Sequence, residues 1–407
     1  VLASACLLAA CAGGDDPPAP TVSRPVATPT SANASPTVQA SAEPTTSAAL
    51  AALLVPGPTI GPPENVYFLN GADIWLLAAD GQSRQLTQGL RIGPWAQTTD
   101  ASRAAVTIYS ESNGAGSEEI RLLSTDGTLS DPIYGPSPTS GVGGRPTIRA
   151  LDWSWDNQRL AVAYSDGSLA TLTLPSSDPF AGLPQPVPVA TPPVDNMPFV
   201  VSWAPSGAGI AYLTEGDDDQ STLFVTPNDG EASSVTDPTG NGTRSIRVFD
   251  WLPGRGRLAF VDDASSPSSR LPGSIFTIAP DGTVMELLVS AGQFGPAAGV
   301  VALSASPDGL NLAFTVFVPD DQGRPAFHSL WILSIDSGER RQVPVEAGFR
   351  ITDLWWSSTG LVWRGVDASA SVAGDGNAYT GSEPFILGRF DPTNGATAIV
   401  FQSARGT

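Results

Sequence analysis

The sequence contains no lysine. All 20 of its basic residues are arginine, set against 40 acidic residues for a formal net charge of −20. At this level the arginine-only usage reads as a bias of composition rather than a mechanism. The acidic balance argues against nucleic acid, which needs a basic stripe to meet phosphates, and against a peripheral footing on anionic lipid. Cysteine occurs only at Cys6 and Cys11, so everything after them can form neither an internal disulfide nor a thiolate metal site. There is one histidine, His328. A Ser-His-Asp triad would have to use it, and the Gly-x-Ser-x-Gly elbow is absent. One histidine also excludes the usual zinc sets, and no glycine-rich phosphate loop opens a helix. What catalysis remains open is carboxylate chemistry such as glycoside hydrolysis, which needs two acids facing across a cleft.

Charged residues make up only 15% of the 407, which disfavours long solvated helices, whereas 42 glycines and 38 prolines suit many short strands joined by turns. The first 11 residues are uncharged and end Leu8-Ala9-Ala10-Cys11. That is the pattern of a lipobox closing a signal peptide, with small residues for the peptidase and a thiol to take the diacylglyceryl group. The expectation is a signal-peptide remnant over 1–11, acylation at Cys11, and a lipid-anchored protein on the extracytoplasmic side of a bacterial membrane. From 12 to 63 alanine, proline, serine and threonine dominate. Such a stretch cannot bury enough apolar area to offset chain entropy and reads as a disordered spacer. An apolar interruption at 48–55 is expected to dock on the following domain as a short helix or an extra strand.

From Asn65 the chain repeats at roughly 50 residues. One element is an apolar run ending near Trp, a polar turn, then a short β run. Leu151-Asp152-Trp153 and Phe249-Asp250-Trp251 are clear copies, and the Trp-equivalent positions are read as 95, 153, 203, 251, 305 and 356. The other element is an alternating strand before a turn such as Asp80-Gly81, Asp126-Gly127, Asp281-Gly282 or Asn394-Gly395, all hairpin signals. Each unit is thus a four-stranded antiparallel meander, A to D. One unit cannot bury both faces of its own sheet, so units must stack radially. The fold class is all-β: a β-propeller over 64–403, with seven blades favoured over six because the third strand recurs seven times. The first unit lacks an evident innermost strand, and residues 48–60 are the candidate to supply it.

The turn Ser306-Pro307-Asp308-Gly309 followed by Asn311-Leu312-Ala313-Phe314 resembles the WD-repeat-like propeller units of the TolB family. The resemblance covers about 65–402 and implies a periplasmic binding platform without naming its ligand. Most copies are degenerate, and the extra N-terminal α/β domain of that family is not seen.

The repeated Trp residues are expected to fill the wedges between blades, each worth roughly 2–3 kcal/mol when buried. Trp155 and Trp355 fall outside the pattern and are the better candidates for stacking on a sugar. Strand parity puts the short A–B and C–D turns on one face and the long connections on the other, the usual functional rim. That rim gathers Glu111, Glu118, Glu215, Asp217, Asp218, Asp219, Asp262, Asp263, Asp320, Asp321, Asp367 and Asp375. They read either as a site for cations or a basic partner or as solubility charge, the latter favoured. Ca²⁺ on Asp217-Asp218-Asp219 is conceivable, but no stretch has the Asp-x-Asp-x-Asp-Gly spacing, so no metal or other cofactor is expected. The expected partner is a protein, peptide or glycan bound by a monomer that acts as a binding module or scaffold; a glycan-active enzyme is the alternative.

Overall fold

The computed structural model describes residues 48–55, 63–112, 115–138, 146–174, 186–190, 197–215, 221–228, 231–235, 246–262, 273–295, 298–319, 325–346, 348–367 and 384–403. It is a seven-bladed β-propeller. Six sheets have four antiparallel strands in simple meander order, and the first has three. The innermost strands of blades 2 to 7 are Arg91–Gln97, Ile148–Trp153, Met197–Trp203, Ile246–Leu252, Gly299–Ala305 and Phe349–Ser357. Among the described residues, blade 1 consists of Val66–Asn70, Asp73–Leu77 and Ser83–Gln85, which correspond to strands B, C and D. The expected seven blades and meander order are both present.

The second strand of each blade is apolar on both faces because both are covered by neighbouring blades: Leu160–Tyr164 and Leu258–Asp262 are buried throughout. Seven hydrophobic clusters result, each drawing its side chains from two adjacent blades, one at each joint around the ring. Trp153, Trp203 and Trp251 are buried in the joints with the preceding blades, as expected for wedge residues.

Each of the six described innermost strands carries a one-residue bulge at the same place, toward the long-connection end: Arg149, Phe199, Arg247, Val301 and Thr352 are the extra residues, and in blade 2 Gly93 and Pro94 together stand opposite Thr107. A bulge sharpens the local twist, which the narrow centre of the ring demands. The register of blade 2 corrects one expectation. Trp153 pairs with Leu160 and Trp203 with Ile210, but in blade 2 it is Gln97 that pairs with the matching Ala104. Gln97, not Trp95, therefore occupies the Trp position. Its Oε1 accepts a hydrogen bond from Tyr67 N at 3.0 Å, which satisfies the inner edge of blade 1, where no further strand is paired among the described residues.

Hydrogen bonds across the joints alternate in kind. Indole Nε1 of Trp153, Trp251 and Trp356 donates to the carbonyls of Ala96, Ser202 and Ser304 in the preceding blade, at 3.0, 3.2 and 3.0 Å. At the two joints between these, a carboxylate serves instead. Asp152 Oδ2 accepts from Trp203 N at 2.7 Å, and Asp250 Oδ2 accepts from Ala305 N at 2.9 Å. Nearer the short-turn face a ring of arginines donates to backbone carbonyls of the next blade: Arg84 to Thr125, Arg103 to Asn157, Arg159 to Gly207, Arg255 to Gly309, Arg341 to Pro392, and Arg389 to Ala78 and Ala79. The last of these closes blade 7 on blade 1.

Six of the seven joints carry such an arginine. The remaining joint, between blades 4 and 5, has none among the described residues. The position matching Arg103 and Arg159 is Gly209. There α1 (Ala48–Leu53) is docked. Leu53 is buried in the 4–5 cluster, and a side chain on Gly209 would meet Leu53 Cδ2 at 2.9 Å. Gly256, at φ 59°, lies under the Leu54 carbonyl. Residues 48–53 thus form the docked helix and not the inner strand of blade 1; 56–62 lie outside the described residues. Among the described residues, no helix is long and apolar enough to cross a membrane.

Truncating the wedge should loosen this joint specifically. Leu53→Ala is expected to cost about 2–5 kcal/mol, the range for a fully buried leucine. It would be read as a lower urea midpoint with earlier proteolysis within blades 4 and 5 than within blades 1 and 2. An unchanged midpoint would mean that α1 does not support the ring.

Candidate functional site

The described site with built chemistry lies on the short-turn face, at the mouth of the central channel. Its cavity measures about 260 Å³. The floor and walls come from the last residues of the innermost strands: Asp152, Ser202, Asp250 and Ser304 beside Trp153, Trp251 and Trp356. Trp155 and Trp355, both half-buried, complete the aromatic wall. They were singled out as extra to the repeat, and they converge here with three Trp of the repeat. Pro63 reaches the same mouth, its carbonyl accepting from Ser358 N at 2.7 Å.

Asp152 and Asp250 lie deep in the ring, yet each keeps partial exposure, because the cavity admits water to it. Desolvation is the first cause that pushes their carboxyls up, Asp152 to about 7 and Asp250 to about 6. Hydrogen bonds from Trp203 N and Trp153 N pull the other way on Asp152, and the like charge of Asp250 adds to its rise. Asp250 accepts from Trp251 N at 2.8 Å as well as from Ala305 N. Among the described residues, no arginine or histidine lines the cavity.

A second cavity of about 420 Å³ lies between blades 6 and 7 on the same face. Its acids are committed to their own turns. Asp308 accepts from Ser306 Oγ and Leu310 N, and Asp391 from Thr393 N and Oγ1. It offers one indole, Trp356, and no deep carboxyl.

The rim acids read from the sequence do not form one cluster among the described residues, where no group of three or more His, Cys, Asp or Glu is placed to hold a metal. Cys11, Asp217, Asp218, Asp219, Asp263, Asp320, Asp321 and Asp375 lie outside the described residues. Glu215 is exposed and sits 3.9 Å from Arg149, a weak pair. Asp367 is half-buried. Asp262, expected on the solvated rim, is fully buried. Glu118 is buried too, and its Oε2 accepts from Ile148 N at 2.8 Å across the joint between blades 2 and 3. Strands end deeper than a count of polar residues suggests, so an acid at a strand end can be a joint fastener. His328 is held neutral, its ring pushed down to about 4 by burial and then by Arg350 and Arg247. Neither ring nitrogen has a hydrogen-bond partner in the described structure, so no hydroxyl is activated by it.

The architecture defines the class: a seven-bladed β-propeller with an aromatic and acidic channel mouth. No protein-family model matches the sequence, and no curated protein matches it. Solved structures do share the fold. An oligogalacturonate lyase in complex with manganese superposes with TM-score 0.54 at 12% identity over 86% of both chains. A prolyl endopeptidase matches 86% of this chain and 51% of its own, with TM-score 0.56 and 12% identity. A TolB-type protein from Agrobacterium tumefaciens is also matched, 17% identical with TM-score 0.43 over 67% of this chain and 84% of its own.

The raised carboxyls make a signed prediction. In the folded state Asp152 and Asp250 hold protons that the unfolded chain, with ordinary aspartate values near 3.9, has released. Their contribution to stability is therefore complete below about pH 4 and is lost as pH rises through about 6 and then 7. The loss is of the order of a few kcal/mol. Urea unfolding at pH 5 and pH 8 should show stability falling over that interval, and the fall should shrink in Asp152→Asn. An identical fall in the variant would assign it to other groups.

Proposed function

We propose that this propeller is a lipid-anchored binding module on the extracytoplasmic side of a bacterial membrane, with its ligand seated at the short-turn mouth of the central channel. The observation that carries the reading is the convergence of five indoles and two deep carboxyls on one cavity. Binding pockets are typically concave, largely apolar and aromatic, with a few convergent polar groups. Asp152, Asp250, Trp155, Trp355 and Trp356 are half-buried and keep part of their surface open at the axis, while Trp153 and Trp251 are buried behind them. The class of partner is a protein, peptide or glycan that offers one small group to the cavity. The rim acids on the opposite face are a secondary surface in this reading.

The anchoring part rests on Leu8-Ala9-Ala10-Cys11. Metabolic labelling with an alkynyl fatty acid should mark the protein, and Cys11→Ser should abolish the label and release the chain from the membrane fraction. Labelling that survives the change would refute acylation at Cys11. For the binding face, a photo-crosslinking residue placed at Thr99, on the cavity, should capture a discrete partner in intact cells, whereas one at Glu215 should capture less. Capture only from Glu215 would move the site to the long-connection rim.

A second reading, a carboxylate-dependent glycan-active enzyme, is favoured by one fact: Asp152 and Asp250 titrate where a general acid would. Turnover in a glycan-hydrolysis screen that disappears in Asp250→Asn would select it over binding alone.

A further inference from the structure

We propose that the short-turn cavity recognises an organic cation, a primary or alkylated ammonium group, seated between Asp152 and Asp250 and walled by indole faces. This rests on the reading that the channel mouth is the binding site and adds the chemistry of what enters it.

The first argument is missing countercharge. Two carboxyls share the cavity, each feels the low polarity of the ring's interior, and the charged neighbour that acts on Asp152 is the like charge of Asp250. Buried acids are ordinarily paired with a cation of the protein. Among the described residues, no arginine lines the cavity. A ligand that brings positive charge supplies what the protein leaves out. An anionic ligand such as a uronate would add a third like charge and is disfavoured.

The second argument is the wall. The face of an indole carries negative electrostatic potential and attracts cations, most strongly where water is excluded. This protein already uses its indoles so: the guanidinium of Arg103 lies 5.2 Å from the ring centre of Trp153, and that of Arg159 4.4 Å from Trp203. Trp155 and Trp355 stand in the cavity wall with no arginine among its lining residues. Ring faces and carboxylates attract the same ligand, and their contributions add.

The third argument is size. A volume of about 260 Å³ corresponds to roughly nine waters of bulk liquid. That accommodates a trimethylammonium group and a short arm but not a chain of sugars. The serine hydroxyls of Ser202 and Ser304 can then accept or donate to the arm.

Calorimetric titration of the full chain tests this with choline and tetramethylammonium as probes and glucose as the neutral comparison, in two buffers of different ionisation enthalpy near pH 6.5. Saturable binding of both ammonium probes is expected, with protons released, because a cation favours the ionised carboxyls. Asp250→Asn and Trp155→Leu should each weaken it about tenfold. Trp155 also packs against the apolar cluster between blades 3 and 4, so the melting temperature of each variant is measured first and binding is compared where the variant is fully folded, which separates lost binding from lost folding. No ammonium binding up to about 10 mM, equal binding of glucose, or binding unchanged in both variants would overturn the proposal. If the ammonium probes fail while the Thr99 crosslink still captures a partner, the cation is wrong and the channel-mouth reading stands. If both fail, the reading itself falls.

Discussion

Every blade depends on the face it shares with the next one. A four-stranded sheet with apolar residues on both sides has no stable existence alone, and here each of the seven apolar clusters belongs to a joint rather than to a blade. Apolar packing fixes that two sheets meet but not at what offset. The offset is set by directed bonds: indoles or carboxylates near the axis, guanidinium groups toward the turns. Arginine suits the outer position because a planar fork on a long stem can reach a backbone carbonyl across a gap while its stem covers apolar surface. The absence of lysine, unremarkable in composition, matches a fold whose cations are used as clasps.

The channel mouth follows from the same joints. Because the clasps near the axis alternate between indole and carboxylate, the short-turn end of the channel collects both chemistries without a dedicated loop. The carboxylates are costly at that depth, and their hydrogen bonds from Trp203 N and Ala305 N recover part of the cost. The residues that hold the ring in register are therefore the ones that give its centre a chemical character.

Much of the architecture was legible in the sequence, since period, turn residues and strand parity are local properties. Seven units, their meander order and the wedge role of the tryptophans could all be read off directly. The register of blade 2 was missed because its indole misleads: the turn Thr98-Thr99-Asp100-Ala101 matches Ser154-Trp155-Asp156-Asn157 and puts Gln97 at the Trp position, while Trp95 stands just after the bulge at Gly93 and Pro94. The site was legible only in part. Trp155 and Trp355 stood out as departures from the repeat, but Asp152 and Asp250 look like ordinary members of it, and depth at the axis is a property of the closed ring. Asp262 and Glu118 erred the other way, as polar strand-end residues that lie inside.

The docked helix has a mechanical meaning. Helix α1 joins the ring through Leu53, wedged beside Gly209 at a seam with no guanidinium clasp among the described residues. Load arriving through α1 would meet the packed interface between the fourth and fifth sheets first, rather than the first sheet. The many small contacts of that interface would then share the load.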